Sequence, residues 1–246
     1  MPMENAKRAQ QRLIDKGYAI VADGGFGAKS IAALMGYVAN GAPVTPLRTS
    51  LGEAAAKYFA GADITTALRL AHALAQQSVE TGGFARLVEG FNYSQDGLRG
   101  TFGVKRISDA DCKRLGRKTG APALSRAAQE EIANIVYGGE FGLKKLGNDK
   151  PGDGWKFRGR GAKQITGRFN YTEIGKKMAL DLAATPELLE NPDLGMRAAC
   201  IFWKDKNCRQ FADADDIDKL TLAINGGDNG IEDRRKALTR AKSILL

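Results

Sequence analysis

The stretch KPGDGWKFRGRGAKQITGRFNY, residues 150–171, is too rich in glycine and in fixed polar groups to be a plain connector. Gln164, Thr166, Asn170 and Tyr171 offer neutral donors and acceptors suited to sugar hydroxyls and acetamido groups. A threonine hydroxyl such as that of Thr166 can hold an attacking water while a carboxylate removes its proton. Read alone, the stretch is equally a structural Ω-loop. Gly159-Arg160-Gly161 has the look of a phosphate-binding fragment, but no buried strand precedes it, so a nucleotide site is not expected.

Outward from this stretch the pattern is helix after helix. Apolar residues recur at helical spacing over 51–60, 64–80, 108–116, 125–137, 172–179, 194–206, 216–224 and 232–244, with glycine-rich loops between. No segment shows sustained alternation, and only 99–107 and 158–166 leave room for short strands. The fold class is therefore mainly α. Three divisions are expected: a small helical module at 1–40, a linker at 41–50 (NGAPVTPLRTS, residues 40–50, holds two of the seven prolines) and a larger helical domain at 51–246. A length of 246 residues suits one full domain plus one small one.

Glu80 closes the helix predicted over 64–80, whose inward stripe is Leu70, Ala71, Leu74 and Ser78. Thr81-Gly82-Gly83 stops it, since glycine accepts positive φ without penalty. In the last turn Glu80 faces the negative end of the helix dipole, and Phe84, Leu87, Val88 and Phe91 can wall it with apolar surface. Both effects favour a neutral carboxyl, as protonation of a departing glycosidic oxygen requires. Glu89 follows nine residues later in LVEGFNYS, placed to activate water. Two solvated surface glutamates would give the same spacing. Asn225, before Gly226-Gly227, sits where a turn can present its amide, or simply joins two helices.

Three cysteines, Cys112, Cys200 and Cys208, and one histidine, His72, make neither a disulfide framework nor a zinc site; buried thiols are the expected state. No metal and no cofactor are expected. A net charge of +9 points to a polyanionic partner. The aromatics do not interleave with the basic residues as a nucleic-acid stacking platform needs. No apolar run is long enough to span a bilayer, so stable membrane insertion is not expected, and MPMENAKRAQQ lacks an apolar signal region. The C-terminal helix, with Leu238, Ala241 and Leu245 on one face, reads as a packed closing helix rather than a membrane-disturbing one.

Five segments together resemble the chitinase-like glycoside hydrolase family 19 in its bacterial and phage branch: FNYS at 91–94, GLRGTF at 97–102, IANIVYGGEFG at 132–142, DGWKFRGRGAKQITGRFNY at 153–171 and AINGGDNGIEDRR at 223–235. The resemblance implies a lysozyme-like helical catalytic domain with Glu80 as general acid and Glu89 as general base. It implies Thr166 as the water-holding hydroxyl, Tyr93, Gln164, Asn170, Tyr171 and Asn225 at sugar-contacting positions, and Arg234 as the arginine that organises the carboxylates around the substrate. Where the family has a histidine just before the acid, this chain has Val79. QQRLIDKGY at 10–18 and DGGFGAKSIAAL at 23–34 resemble the peptidoglycan-binding type 1 family, with Leu13, Tyr18, Asp23, Gly24, Phe26 and Gly27 as its motif positions. Together they imply a monomeric phage endolysin acting on bacterial peptidoglycan, held in the host cytoplasm until a membrane lesion releases it. A chitinase or an endo-N-acetylglucosaminidase is the alternative on the same scaffold.

Overall fold

The computed structural model describes residues 5–246, and the chain divides into two compact units. The first takes residues 5–87, 161–163 and 188–246; the second takes 88–160 and 164–187.

The first unit begins with α1 (Ala6–Asp15), α2 (Ala28–Val38), α3 (Pro46–Tyr58) and α4 (Ala67–Glu80). The second holds α5 (Gln95–Phe102), α6 (Asp109–Leu115), α7 (Arg126–Val136), the single turns α8 (Gly139–Phe141) and α9 (Asp153–Lys156), and α10 (Arg168–Met178). The first unit is completed by α11 (Pro192–Asp205), α12 (Cys208–Asp213), α13 (Ile217–Asn225) and α14 (Ile231–Leu245).

Side-chain caps set seven of these fourteen starts. Thr45, Thr66, Ser94, Ser108, Ser125, Asn191 and Asp216 each accept a backbone N–H of the first turn that the helix itself leaves unbonded. Capping explains two departures from the expected divisions. Residues 46–50, expected as linker, are the opening of α3, because Pro46 sits at the first helical position, where its missing N–H costs nothing. Residues 99–107, where a strand had room, begin inside α5, started by Ser94. Around 158–166 there are only isolated bridges, Val88 with Arg160 and Arg160 with Ile165.

In the first unit α4 is the centre. The expected stripe of Leu70, Ala71, Leu74 and Ser78 is buried, but so are His72, Ala73, Ala75, Gln76 and Gln77, so the helix is enclosed on nearly every side. Each fully buried leucine here contributes roughly 1.5–3 kcal/mol. Residues 5–40 do not stand apart. Leu13, Phe26, Ile31, Leu34, Met35 and Val38 share one continuous core with Leu51, Leu70, Leu74, Leu238 and Leu245. Arg8 donates to the Leu246 carbonyl, Arg12 to that of Ile244 and Arg240 to that of Val38, tying α14 to the N-terminal helices. The C-terminal helix thus packs as a closing helix, burying Ala237, Leu238, Ala241, Ile244 and Leu245.

The second unit has its own aromatic core. Phe91, Leu98, Phe102, Ile107, Leu115, Ile132 and Val136 are buried, with Tyr93, Tyr137 and Trp155 packed against them. Phe91 and Phe102 stack at 6.4 Å, and Tyr137 meets both edge-on. Among the described residues no helix is long and apolar enough to cross a membrane.

Candidate active site

Glu80 is the last residue of α4, and the end of that helix is built to hold it. Gly82 and Gly83 take φ of +59° and +78°, and the Gly83 N–H donates to the Ser78 carbonyl at 2.7 Å. The Thr81 hydroxyl donates to the Gln77 carbonyl at 2.6 Å and accepts from the Phe84 N–H at 2.9 Å. Beyond this locked turn, the Glu80 side chain is 10% exposed and meets two cations. Arg234, in the first turn of α14, donates from Nη2 to Glu80 Oε1 at 2.7 Å. Lys163 places Nζ 3.8 Å from Oε2.

Arg234 is itself 2% exposed. Its Nη1 bonds the Gln76 side-chain oxygen and its Nε reaches the Asn229 carbonyl at 3.3 Å, while Gln76 Nε2 donates to Thr221 Oγ1 at 2.9 Å. Arg234 therefore organises Glu80 and does not reach outward to a sugar. A small cavity adjoins the carboxylate, lined by Gln76, Gln77, Glu80, Lys163, Phe202, Trp203 and Ile224. Of the residues expected to wall Glu80, Phe84 and Leu87 are buried in the core of the first unit, whereas Val88 and Phe91 belong to the second. His72 is fully buried, with Nε2 2.7 Å from Asp215 Oδ1, and Val79 occupies the position before Glu80.

In the second unit Glu89 is gripped at both oxygens. The Tyr137 hydroxyl donates to Oε1 at 2.7 Å and the Gly159 N–H to Oε2 at 3.0 Å. Its own N–H donates to the Gly159 carbonyl at 2.9 Å, fixing the main chain as well. Burial pushes the Glu89 carboxyl above the usual carboxylate range, outweighing the pull of the Gly159 and Tyr137 hydrogen bonds and of Arg106 and Arg158. Burial and the neighbouring Glu89 charge push Tyr137 well up in turn, so its hydroxyl stays a donor. A carboxylate with enhanced proton affinity and fixed orientation is equipped to be a general base.

Gly159 packs against both side chains: a β-carbon there would lie 2.8 Å from Gln164 Oε1 and 3.1 Å from Glu89 Oε2, so an added methyl would displace both side-chain ends. Gln164 is held at φ +56° in the following loop. The Thr166 hydroxyl donates to the Gln164 carbonyl at 3.0 Å, leaving its oxygen able to accept from water, and Asn170 Nδ2 donates to the Thr166 carbonyl at 2.8 Å. Tyr93 is half-buried against Phe91 and Phe102. Tyr171 departs from expectation. It is fully buried, its hydroxyl donating to the Arg158 carbonyl at 2.7 Å and accepting from Arg160 at 3.2 Å, so it builds the loop rather than touching a sugar. Asn225 ends α13 with a buried side-chain Nδ2 that has no protein partner, an amide free to meet a ligand.

Sequence reasoning missed Gln76, Tyr137, Gly159 and Lys163. Tyr137 lay inside IANIVYGGEFG, and Gly159 and Lys163 inside the 150–171 stretch, but nothing in their spacing marked them as carboxylate partners.

The N-terminal motif positions are largely structural. Leu13 and Phe26 are fully buried, and Gly27 leads into α2. Asp23 accepts from Gln10 Nε2 at 2.9 Å and from the Gly25 N–H at 2.8 Å, which hold its carboxyl low, while Gly24 at φ +87° donates to Gln10 Oε1 at 2.8 Å. The Tyr18 hydroxyl donates to the Ala42 carbonyl at 3.0 Å, and its ring lines a groove with Lys16, Ile20, Lys29, Val44 and Glu53. The three thiols are buried, and burial pushes Cys200 and Cys208 up to about 12. Among the described residues no cluster of three or more metal-ligating side chains occurs.

The first unit thus holds a carboxylate at a helix end beside two cations, and the second holds a half-buried carboxylate gripped by a phenol and a peptide N–H. No family model matches the sequence. A glycosyl hydrolase family 19 domain-containing protein of Haemophilus influenzae is 39% identical over 163 residues, which cover 66% of this chain and 73% of that protein. Among solved structures, chitinase C from Streptomyces griseus matches with a TM-score of 0.55 at 18% identity, covering 90% of this chain and 95% of that one. A bacterial family 19 chitinase matches at 0.50 and 17% identity, over 87% and 93%. The chain belongs to glycosyl hydrolase family 19. It is a chitinase-like hydrolase with that family's α-rich fold.

Proposed function

We propose that the protein is a peptidoglycan hydrolase of the endolysin kind, cleaving the β-1,4 bond between N-acetylmuramic acid and N-acetylglucosamine. Glu80 protonates the bridging oxygen. Glu89 takes a proton from the attacking water, which Thr166 helps to hold, and the product anomer is inverted. Gln164, Asn170, Asn225 and Tyr93 contact the sugars, and Arg234 fixes Glu80. No metal or cofactor has a part in these steps.

The observation that carries this reading is the pair of cations at Glu80. An arginine at 2.7 Å and a lysine at 3.8 Å make this corner of the molecule positive at the catalytic acid. Peptidoglycan presents carboxylates on its peptide stems, and on its lactyl groups where no stem is attached, whereas chitin is neutral. The net charge of +9 favours the same polyanion. The N-terminal residues 5–40 supply wall contact through the groove beside Tyr18, with Lys16 and Lys29 at its edge. On this reading the protein works as a monomer, reaching the wall from the host cytoplasm through a lesion made by another protein, as a phage lysin does.

A chitinase remains the second reading, favoured by the solved relatives that carry that name. Borohydride reduction of digested sacculi, followed by mass spectrometry, separates the possibilities. Muramitol ends support the proposed bond. Glucosaminitol ends, or cleavage of chitin alone, overturn it.

A further inference from the structure

We propose that Lys163 is the residue by which this hydrolase tells an acidic glycan from a neutral one: its ammonium binds a carboxylate of the substrate beside the bond that Glu80 protonates. The inference rests on the peptidoglycan reading and names the contact that enforces it.

Lys163 is 14% exposed in its side chain and is carried on a short, rigid segment. Ala162 beside it is fully buried, and the Gly161 N–H is bonded to the Leu87 carbonyl at 2.8 Å. The ammonium therefore reaches the cavity from a fixed stretch of backbone. There it stands 4.7 Å over the Phe202 ring and 3.8 Å from Glu80 Oε2. The second distance is an ion pair but too long for a hydrogen bond. A lysine ammonium carries three donors, and among the described residues none of them makes a hydrogen bond. Arg234 already satisfies Glu80 at Oε1, so Lys163 is not needed to hold the acid. Lys206 Nζ also lies 5.7 Å from the Phe202 ring centroid. What remains is a positive group with unfilled donors, facing the same cavity as the acid.

A carboxylate arriving there takes those donors at full hydrogen-bond strength. A neutral N-acetyl sugar offers no such charge. Two sources carry the required group, the lactyl carboxylate of muramic acid and the carboxylates of an attached peptide stem.

The test compares kcat and KM of wild-type, Lys163→Met and Lys163→Arg proteins on three soluble substrates. These are glycan strands with peptide stems, strands freed of stems so that the lactyl carboxylate is bare, and neutral N-acetylglucosamine oligomers. For Lys163→Met the expected result is a fall of about 10–100-fold in kcat/KM on an acidic substrate relative to the neutral one, the size of one lost charged hydrogen bond. Lys163→Arg should restore most of that ratio. Selective loss on the bare strands assigns the lactyl group; selective loss on the stem-bearing strands assigns the peptide. An unchanged acidic-to-neutral ratio in Lys163→Met, with wild type cleaving the strands, overturns the inference alone. Wild-type protein that cuts only the neutral oligomers overturns the peptidoglycan reading itself.

Discussion

Replacing Arg234 by methionine removes the cation that anchors Glu80 and leaves the rest of the side chain's volume in place. The guanidinium is 2% exposed and serves Glu80, Gln76 and the Asn229 carbonyl at once. Deleting one member of a buried pair costs about 3–5 kcal/mol, because the other charge is left uncompensated. For a chain of this size each kcal/mol moves Tm by roughly 2–4 °C, so the variant should melt about 6–20 °C lower. Glu80→Gln alone should cost less, since the amide oxygen still accepts from Arg234. In the double variant neither charge remains, and the loss should fall short of the sum of the single losses by at least about 1.5 kcal/mol. Thermal and denaturant unfolding of the four proteins measure this directly. Losses that add to within about 0.5 kcal/mol would show that Arg234 is a general core residue and not the organiser of Glu80.

Gly159→Ala should cut activity at least about tenfold with Tm nearly kept, because the added carbon meets Gln164 Oε1 at 2.8 Å and Glu89 Oε2 at 3.1 Å; equal kcat would refute it. Tyr137→Phe removes the donor to Glu89 Oε1 and should slow turnover by about 10–100-fold, with KM little changed. The raised Glu89 carboxyl has a definite sign: its contribution to stability is full below the unfolded value of 4.5 and is lost as pH rises through the folded value. Glu89→Gln should therefore be more stable than wild type near neutrality, with the advantage gone below pH 4.5, as melting curves across that range would reveal. Removing residues 1–40 should unfold the first unit rather than merely detach a module, since Leu13, Ile31 and Leu34 share its core; a cooperatively melting, active protein lacking them would contradict this.

Most helices were legible because amphipathic spacing and terminal glycines suffice for them. α4 ends at Glu80 as Thr81-Gly82-Gly83 implies, and α14 packs through the face that Leu238, Ala241 and Leu245 mark. The opening of α3 was not legible, because a proline at a helix start looks the same in sequence as a proline in a linker. Short helices such as α5 escaped because a single capping serine, not periodicity, begins them. Motif resemblance singles out Glu80, Glu89, Thr166 and Gln164 but says nothing of what surrounds them. That two cations face Glu80, and that Tyr137 and Gly159 grip Glu89, depends on side chains 48 to 154 residues away in sequence. Pairings of that range leave no local pattern. Tyr171 shows the opposite error, a polar residue in the right motif whose hydroxyl is consumed by the loop it stabilises.

In the proposed reaction Glu80 hands a proton to the departing sugar oxygen. An aryl glycoside with a strongly acidic phenol needs no such proton, while a natural oligosaccharide does. Steady-state rates of Glu80→Gln on the two substrates should diverge, with activity on the natural bond falling at least about a hundredfold further than on the aryl glycoside. A Glu80→Gln protein equally impaired on both, or close to wild type on the natural bond, would place the acid elsewhere.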